Sequence, residues 1–136
     1  MARWVHAIVP MLVCADPAAE IAFCKAVFGA QELSRRVEDG ERIVHATLGI
    51  GELLLMIHGE TEHLASRAPH RDGSSPVVIY IYLEDVDAVV QRAVNTGARI
   101  LTPLQDQFWG DRMARILDPS GHVWNVASRK DDSENS

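Results

Sequence analysis

The side chains of this 136-residue chain best equipped for chemistry are six histidines and two cysteines, and their surroundings decide what each can do. The densest group is His58-Gly59-Glu60-Thr61-Glu62-His63, which has the residue types of a metal site. It lies where an apolar run passes into a polar loop, and it lacks the helical spacing that sets two histidines on one face. A solvated loop is therefore expected. His45 stands in the otherwise apolar run Arg42 to Ile50. It is either satisfied by a neighbouring backbone group or carboxylate, or it is a polar handle titrating near neutral pH. His122 follows Gly121 and is expected at a turn or on the surface. Cys14 and Cys24 sit in apolar patterns and read as small core residues, not as a disulfide. The bulky loop Phe108-Trp109-Gly110-Asp111-Arg112 offers other chemistry. Trp109 can roof a pocket by stacking, and Arg112 can bind an anionic group or pair with Asp111 or Asp106. No glycine-rich phosphate loop, Ser/His/Asp set or facing pair of acids emerges.

These residues need elements to hold them. His6 to Cys14 is an apolar run that predicts a strand, with Pro10 at an edge or bulge. Asp16 caps a helix with Pro17 at its first position, and Ile21, Cys24, Val27 and Phe28 form its apolar stripe before Gly29 ends it. Strands are expected at Gln31 to Val37, Arg42 to Ile50 and Glu52 to His58, with Asp39-Gly40 as a hairpin turn. The polar stretch Thr61 to Ser75 reads as a linker. The plan then restarts. Pro76 to Leu83 is β-rich, and Asp85 caps a helix with Val86, Val89, Val90, Ala93 and Val94 on its apolar face. Gly97 stops that helix, and strands follow at Arg99 to Pro103, Met113 to Leu117 and His122 to Ala127. The offset between the halves is 69 residues at the caps and 68 at the glycines, which marks a duplication. The chain thus reads as one α+β domain of two βαβββ units, 5–60 and 76–128, forming curved mixed sheets around a shared cleft, with linker 61–75 and a polar tail 129–136.

Composition removes several partners. A formal net charge of −6 opposes nucleic acid and anionic membrane surfaces, which need a basic face. No apolar run approaches the roughly 20 residues that span a bilayer. Nothing at the N-terminus resembles a signal peptide, and two thiols without a disulfide framework suit the cytoplasm.

The stretches PMLVCADPAAEIAFCKAVFGAQEL, ERIVHATLGIGELLLMI, YLEDVDAVVQRAVNTGARIL and DQFWGDRMARILDPSGHVW occur in that order. Together they resemble the glyoxalase/bleomycin-resistance/dioxygenase superfamily, also called vicinal oxygen chelate, and within it the PhnB-like branch. The resemblance runs from about Ala7 to Ser128. It implies a fold that hosts metal lyases, dioxygenases, thiol transferases and ligand-sequestering resistance proteins. Metal enzymes of this kind carry His or Glu on the first and last strand of each unit. Those positions fall at Val9, at Leu55 or Met56, at Val78 and at Asn125. None is a histidine or a carboxylate, so no metal or other cofactor is expected at the usual site.

If Val78 and Asn125 mark the inward parity, Tyr80 and Tyr82 also point inward, as pocket walls or as packing. Asn125 can orient a ligand but cannot serve as a carboxylate base. The expected function is binding of a small organic molecule by a homodimer, through Tyr80, Tyr82, Trp109, Arg112, Asn125, His45 and Met56. The competing expectation is a metal-dependent lyase or dioxygenase using an atypical set such as His6, His45 and His58.

Overall fold

The short apolar strands and two capped helices assemble, in a computed structural model, into two four-stranded mixed sheets with one helix each. The structure describes residues 4–62, 64–70 and 72–129. The elements of unit one are β1 (Met11–Cys14), α1 (Pro17–Phe28), β2 (Gln31–Glu38), β3 (Arg42–Ile50) and β4 (Leu53–Gly59). Those of unit two are β5 (Val78–Tyr82), α2 (Val86–Asn95), β6 (Arg99–Asp106), β7 (Asp111–Leu117) and β8 (Val123–Arg129). Strand orders β1-β4-β3-β2 and β5-β8-β7-β6 are the same topology repeated, which is the duplication read from the caps and glycines. The first strand pairs in parallel with the last in each unit, and the remaining pairs are antiparallel.

Local chemistry accounts for the helix boundaries. The Asp16 carboxylate accepts from the Ala19 amide at 3.3 Å, and Gly29 closes α1 in the left-handed region at φ 68°. Asp85 caps α2 through the Ala88 amide at 3.4 Å. Strand limits differ from expectation in two instructive places. The first apolar run yields only β1, because Pro10 has no amide to donate; its carbonyl instead accepts from the Met56 amide at 2.9 Å. Strand β6 runs three residues past Pro103, to Asp106, tied to β7 through two register irregularities.

The core lies on the helix side of both sheets. Leu12, Cys14, Leu48, Leu55 and Ile57 of sheet one and Ile116, Trp124 and Val126 of sheet two are all buried there. Helix α1 buries Glu20, Ile21, Phe23, Cys24 and Val27, a wider face than the apolar stripe alone, because it packs on its own sheet and beside α2. The units join along this seam. The Phe28 ring lies 4.8 Å from Trp124, and the Arg92 guanidinium donates to the Val27 carbonyl at 3.0 Å. In α2 the buried residues are Val86, Val89, Val90 and Ala93, whereas Val94 is exposed. Among the described residues no helix is long and apolar enough to cross a membrane. The polar tail beyond Arg129 and His63 of the histidine-rich stretch lie outside the described residues.

Candidate functional site

Strand alternation assigns each side chain to one of two faces. In unit two, Tyr80 pairs with Asn125, Tyr82 with Ala127, Asn125 with Arg115, and Arg129 with Asp111. These residues share the face away from α2, while their neighbours Trp124 and Val126 enter the core. The open face of unit two therefore carries Val78, Tyr80, Tyr82, Asp111, Arg115 and Asn125.

Asp111 organises this face. Its Oδ2 accepts from the Tyr82 hydroxyl at 2.8 Å, from the Tyr80 hydroxyl, and from the Trp109 indole at 3.0 Å. Trp109 reaches that point because the β6–β7 loop is a tight turn. The Gln107 amide donates to the Asp111 carbonyl at 2.7 Å, and Gly110 takes φ 101°, a conformation that favours glycine. Burial pushes the Asp111 carboxyl up, but the donors Tyr80, Tyr82 and Trp109 outweigh it and hold the group below the ordinary carboxylate range. Burial and the same contact push the Tyr80 phenol up to about 12. The Arg129 guanidinium stacks 4.5 Å from the Tyr82 ring centre. The aromatic surfaces nevertheless stay accessible: Tyr80 is 39%, Tyr82 48% and Trp109 48% exposed. Here is a platform of three aromatic rings fixed at their polar tips by one carboxylate.

The open face of unit one is built by the same alternation. His45 is directly opposite His58, and Thr47 is opposite Met56. The two imidazoles meet edge to face at 5.8 Å, and the Thr47 hydroxyl is 3.4 Å from His45 Nε2. Burial, the nearby His58 and Arg36 depress the His45 pKa, which favours the neutral ring. His58 lies on the strand expected to end there, is buried rather than solvated, and neither ring nitrogen has a partner.

Two residues left with alternatives by the sequence are placed by the structure. Arg112 makes the internal pair expected with Asp106, at 3.3 Å, and a second with Asp87 of α2 at 2.9 Å, so its side chain turns to the helix side and away from the platform. The odd step from Asp111 to Arg112 puts adjacent side chains on opposite faces. His122 stands in the expected turn but is not on the surface. It is half-buried at the seam, with Nε2 2.9 Å from the Val13 carbonyl and 3.8 Å from Cys14 Sγ. Asn125 is buried, with its carbonyl oxygen accepting from Arg115 at 2.8 Å. Sequence reasoning had placed Asp111 only as a partner for Arg112. Its central role was signalled by two tyrosines of one parity and a tryptophan two residues away.

A cavity of about 360 Å³ lies between the edge strands of the two sheets, lined by Met11, Val13, Val77, Ile79, His122 and Arg67 among others.

Residues 4–126 match the family model described as Glyoxalase/Bleomycin resistance protein/Dioxygenase superfamily. The chain belongs to that superfamily. It is 38% identical over 123 residues to the Mycobacterium tuberculosis protein Rv0887c, covering 88% of this chain and 72% of that one. Among solved structures it resembles TioX from Micromonospora sp. ML1, at 29% identity and TM-score 0.73, covering 92% of this chain and 99% of that one. A bleomycin-binding protein solved in complex with bleomycin shares the fold at 21% identity and TM-score 0.62, with 92% and 99% covered.

Within this superfamily fold, the positions expected to chelate a metal hold Val9, Met56, Val78 and Asn125, with Leu55 turned into the core. They supply one thioether and one amide, and the amide oxygen is already engaged by Arg115. Such a set does not fit a chelated divalent cation, which calls for imidazole and carboxylate.

Proposed function

We propose that this superfamily member, of PhnB-like type, binds a small, flat or hydrophobic organic molecule on the aromatic platform of Tyr80, Tyr82 and Trp109, without a catalytic metal. The single observation that carries this reading is the convergence of those three side chains on Asp111 Oδ2. Rings locked at their tips lose little further freedom when a ligand stacks on them, which favours affinity. The bleomycin bound by a relative of the same fold supports an organic occupant of this general kind.

The functional unit is a homodimer. In a single chain the platform and the His45–Met56 face both remain open, and a second copy can lay one over the other to enclose a ligand. His45 and Met56 then contribute the polar and soft contacts of the opposite wall, and Asn125 stands beside Tyr80 on the platform side. Free buried thiols at Cys14 and Cys24 support a cytoplasmic setting. The test is a thermal-shift screen of flat heteroaromatic compounds, bleomycin included, on wild type and Tyr80→Ala. Compounds that raise the melting temperature of the first and not the second support the reading. No stabilising compound, or equal stabilisation of both, contradicts it.

The facing pair His45 and His58, with both His58 nitrogens unpartnered, favours a second reading as a metal-dependent lyase or dioxygenase. His6, its third expected member, is exposed ahead of β1. Stoichiometric metal that disappears in His58→Gln would establish this reading over the first.

A further inference from the structure

The seam between the units holds a second group of donors, away from both open faces. Cys14 ends β1 and Glu20 lies in the first turns of α1, both fully buried, while His122 stands in the turn before β8. One ligand atom from each lies within 4.8 Å of the other two, and among the described residues this is the only such trio of His, Cys, Asp or Glu. We propose that Cys14, Glu20 and His122 form a site for a thiophilic divalent cation, zinc by its chemistry, that clamps unit one to unit two.

Three observations support it. The separation of Cys14 Sγ and His122 Nε2 is 3.8 Å, and tetrahedral zinc with ordinary Zn–S and Zn–N bonds sets those atoms about 3.6 Å apart. Both carboxylate oxygens of Glu20 are buried and receive no placed donor, with the Asp118 carboxyl and the Ser120 side chain beside them, a costly crowding of acids that a cation relieves. One thiolate and one carboxylate neutralise a dication beside a neutral imidazole, and the neighbouring Asp118 carboxylate adds negative charge that further favours a cation.

The surroundings suit a ligand-holding turn. Asp118 Oδ1 accepts from the Ser120 and His122 amides, each at 2.9 Å, and Oδ2 accepts from the Trp124 indole at 2.8 Å. Asp118 thus fixes the turn that presents His122 and acts as a positioning residue. His122 also lines the cavity of about 360 Å³, which gives the ion a path inward. Without an ion, His122 donates from Nε2 to the Val13 carbonyl. Metal binding moves that ring proton to Nδ1 and gives up this one bond. Cys14 releases its thiol proton at the same step.

The test uses chelator-treated full-length protein titrated with cobalt(II), then with zinc. One cobalt per chain is expected, with an intense thiolate-to-cobalt charge-transfer band that zinc abolishes. The chain has two cysteines, so persistence of the band in Cys24→Ser assigns it to Cys14 even if Cys14→Ser fails to fold. Glu20→Gln and His122→Asn are each expected to weaken cobalt binding at least tenfold, whereas His70→Gln, at an exposed residue, leaves it unchanged. No bound metal and no band in wild type overturns the inference and leaves the ligand-binding reading standing. A metal lost in His58→Gln but kept in Glu20→Gln overturns both.

Discussion

The Tyr82 hydroxyl donates to Asp111 Oδ2 at 2.8 Å across 29 residues of sequence, tying the first strand of unit two to the start of β7. Replacing Asp111 by Asn removes the charge from a carboxylate that receives three donors. Hydrogen bonds to buried charged groups contribute about 1.5–3 kcal/mol each, but they are not additive. Asp111→Asn is expected to cost about 2–3 kcal/mol in total, a fall in melting temperature of roughly 5–10 °C in a domain of this size. Calorimetry of the two proteins at neutral pH checks it.

The same cluster sets a pH dependence. Asp111 is held below its unfolded value, so its contribution is fully present above that value and is lost as pH falls through the folded one. The stability gap between wild type and Asp111→Asn is therefore expected to be constant above about pH 5 and to close below about pH 4. Urea unfolding at a series of pH values measures the gap. One that widens on acidification would contradict the assignment.

His45 gives a second titration, of opposite chemical type but the same sign. Its folded pKa is depressed, so its neutral form favours the fold above the unfolded value near 6.5, and that contribution is lost as pH falls through the folded pKa. Proton NMR should place the His45 midpoint below 6.5. Substitution by Gln should flatten stability across that lower interval.

Arg112 provides a contrast. Its partners Asp87 and Asp106 are 60% and 50% exposed in their side chains, so solvent and salt screen both pairs. Arg112→Ala is expected to change stability by no more than about 1 kcal/mol and to leave ligand affinity unchanged. A tenfold loss of affinity in a titration would return Arg112 to the site.

Much of this was legible from side-chain type and period. The Asp caps and helix-ending glycines located both helices, and the 69-residue offset exposed the repeated unit before any pairing was known. Tyr80, Tyr82 and Asn125 fell on one face because strand alternation is rigid. What escaped were relationships between units. His122 reads as a turn residue because its sequence neighbours are Gly121 and Ser120, yet its contacts are Val13 and Cys14, over a hundred residues away. Glu20 carried an unread signal. It stands four and seven residues before Cys24 and Val27, on the buried stripe, where a carboxylate needs a partner. For Arg112 the loop reading foresaw the pair with Asp106 but not the one with Asp87, because the strand that begins at Asp111 turns its side chain toward α2.

Dimerisation has its own readout. Light scattering coupled to gel filtration is expected to give twice the 15.0 kDa chain mass at micromolar concentration. A monomer there, still binding ligand at full affinity, would contradict the closure of the platform by a second copy.

The most direct test of the central claim uses the tryptophans as reporters. In a spectrum of nitrogen-15-labelled protein, the indole N–H of Trp109 points at Asp111 and that of Trp124 at Asp118, on opposite sides of sheet two. Titrating a compound that stabilises the protein is predicted to shift the Trp109 signal saturably while the Trp124 signal stays in place. Saturable binding that leaves Trp109 unmoved would show that the platform on Asp111 is not the ligand site.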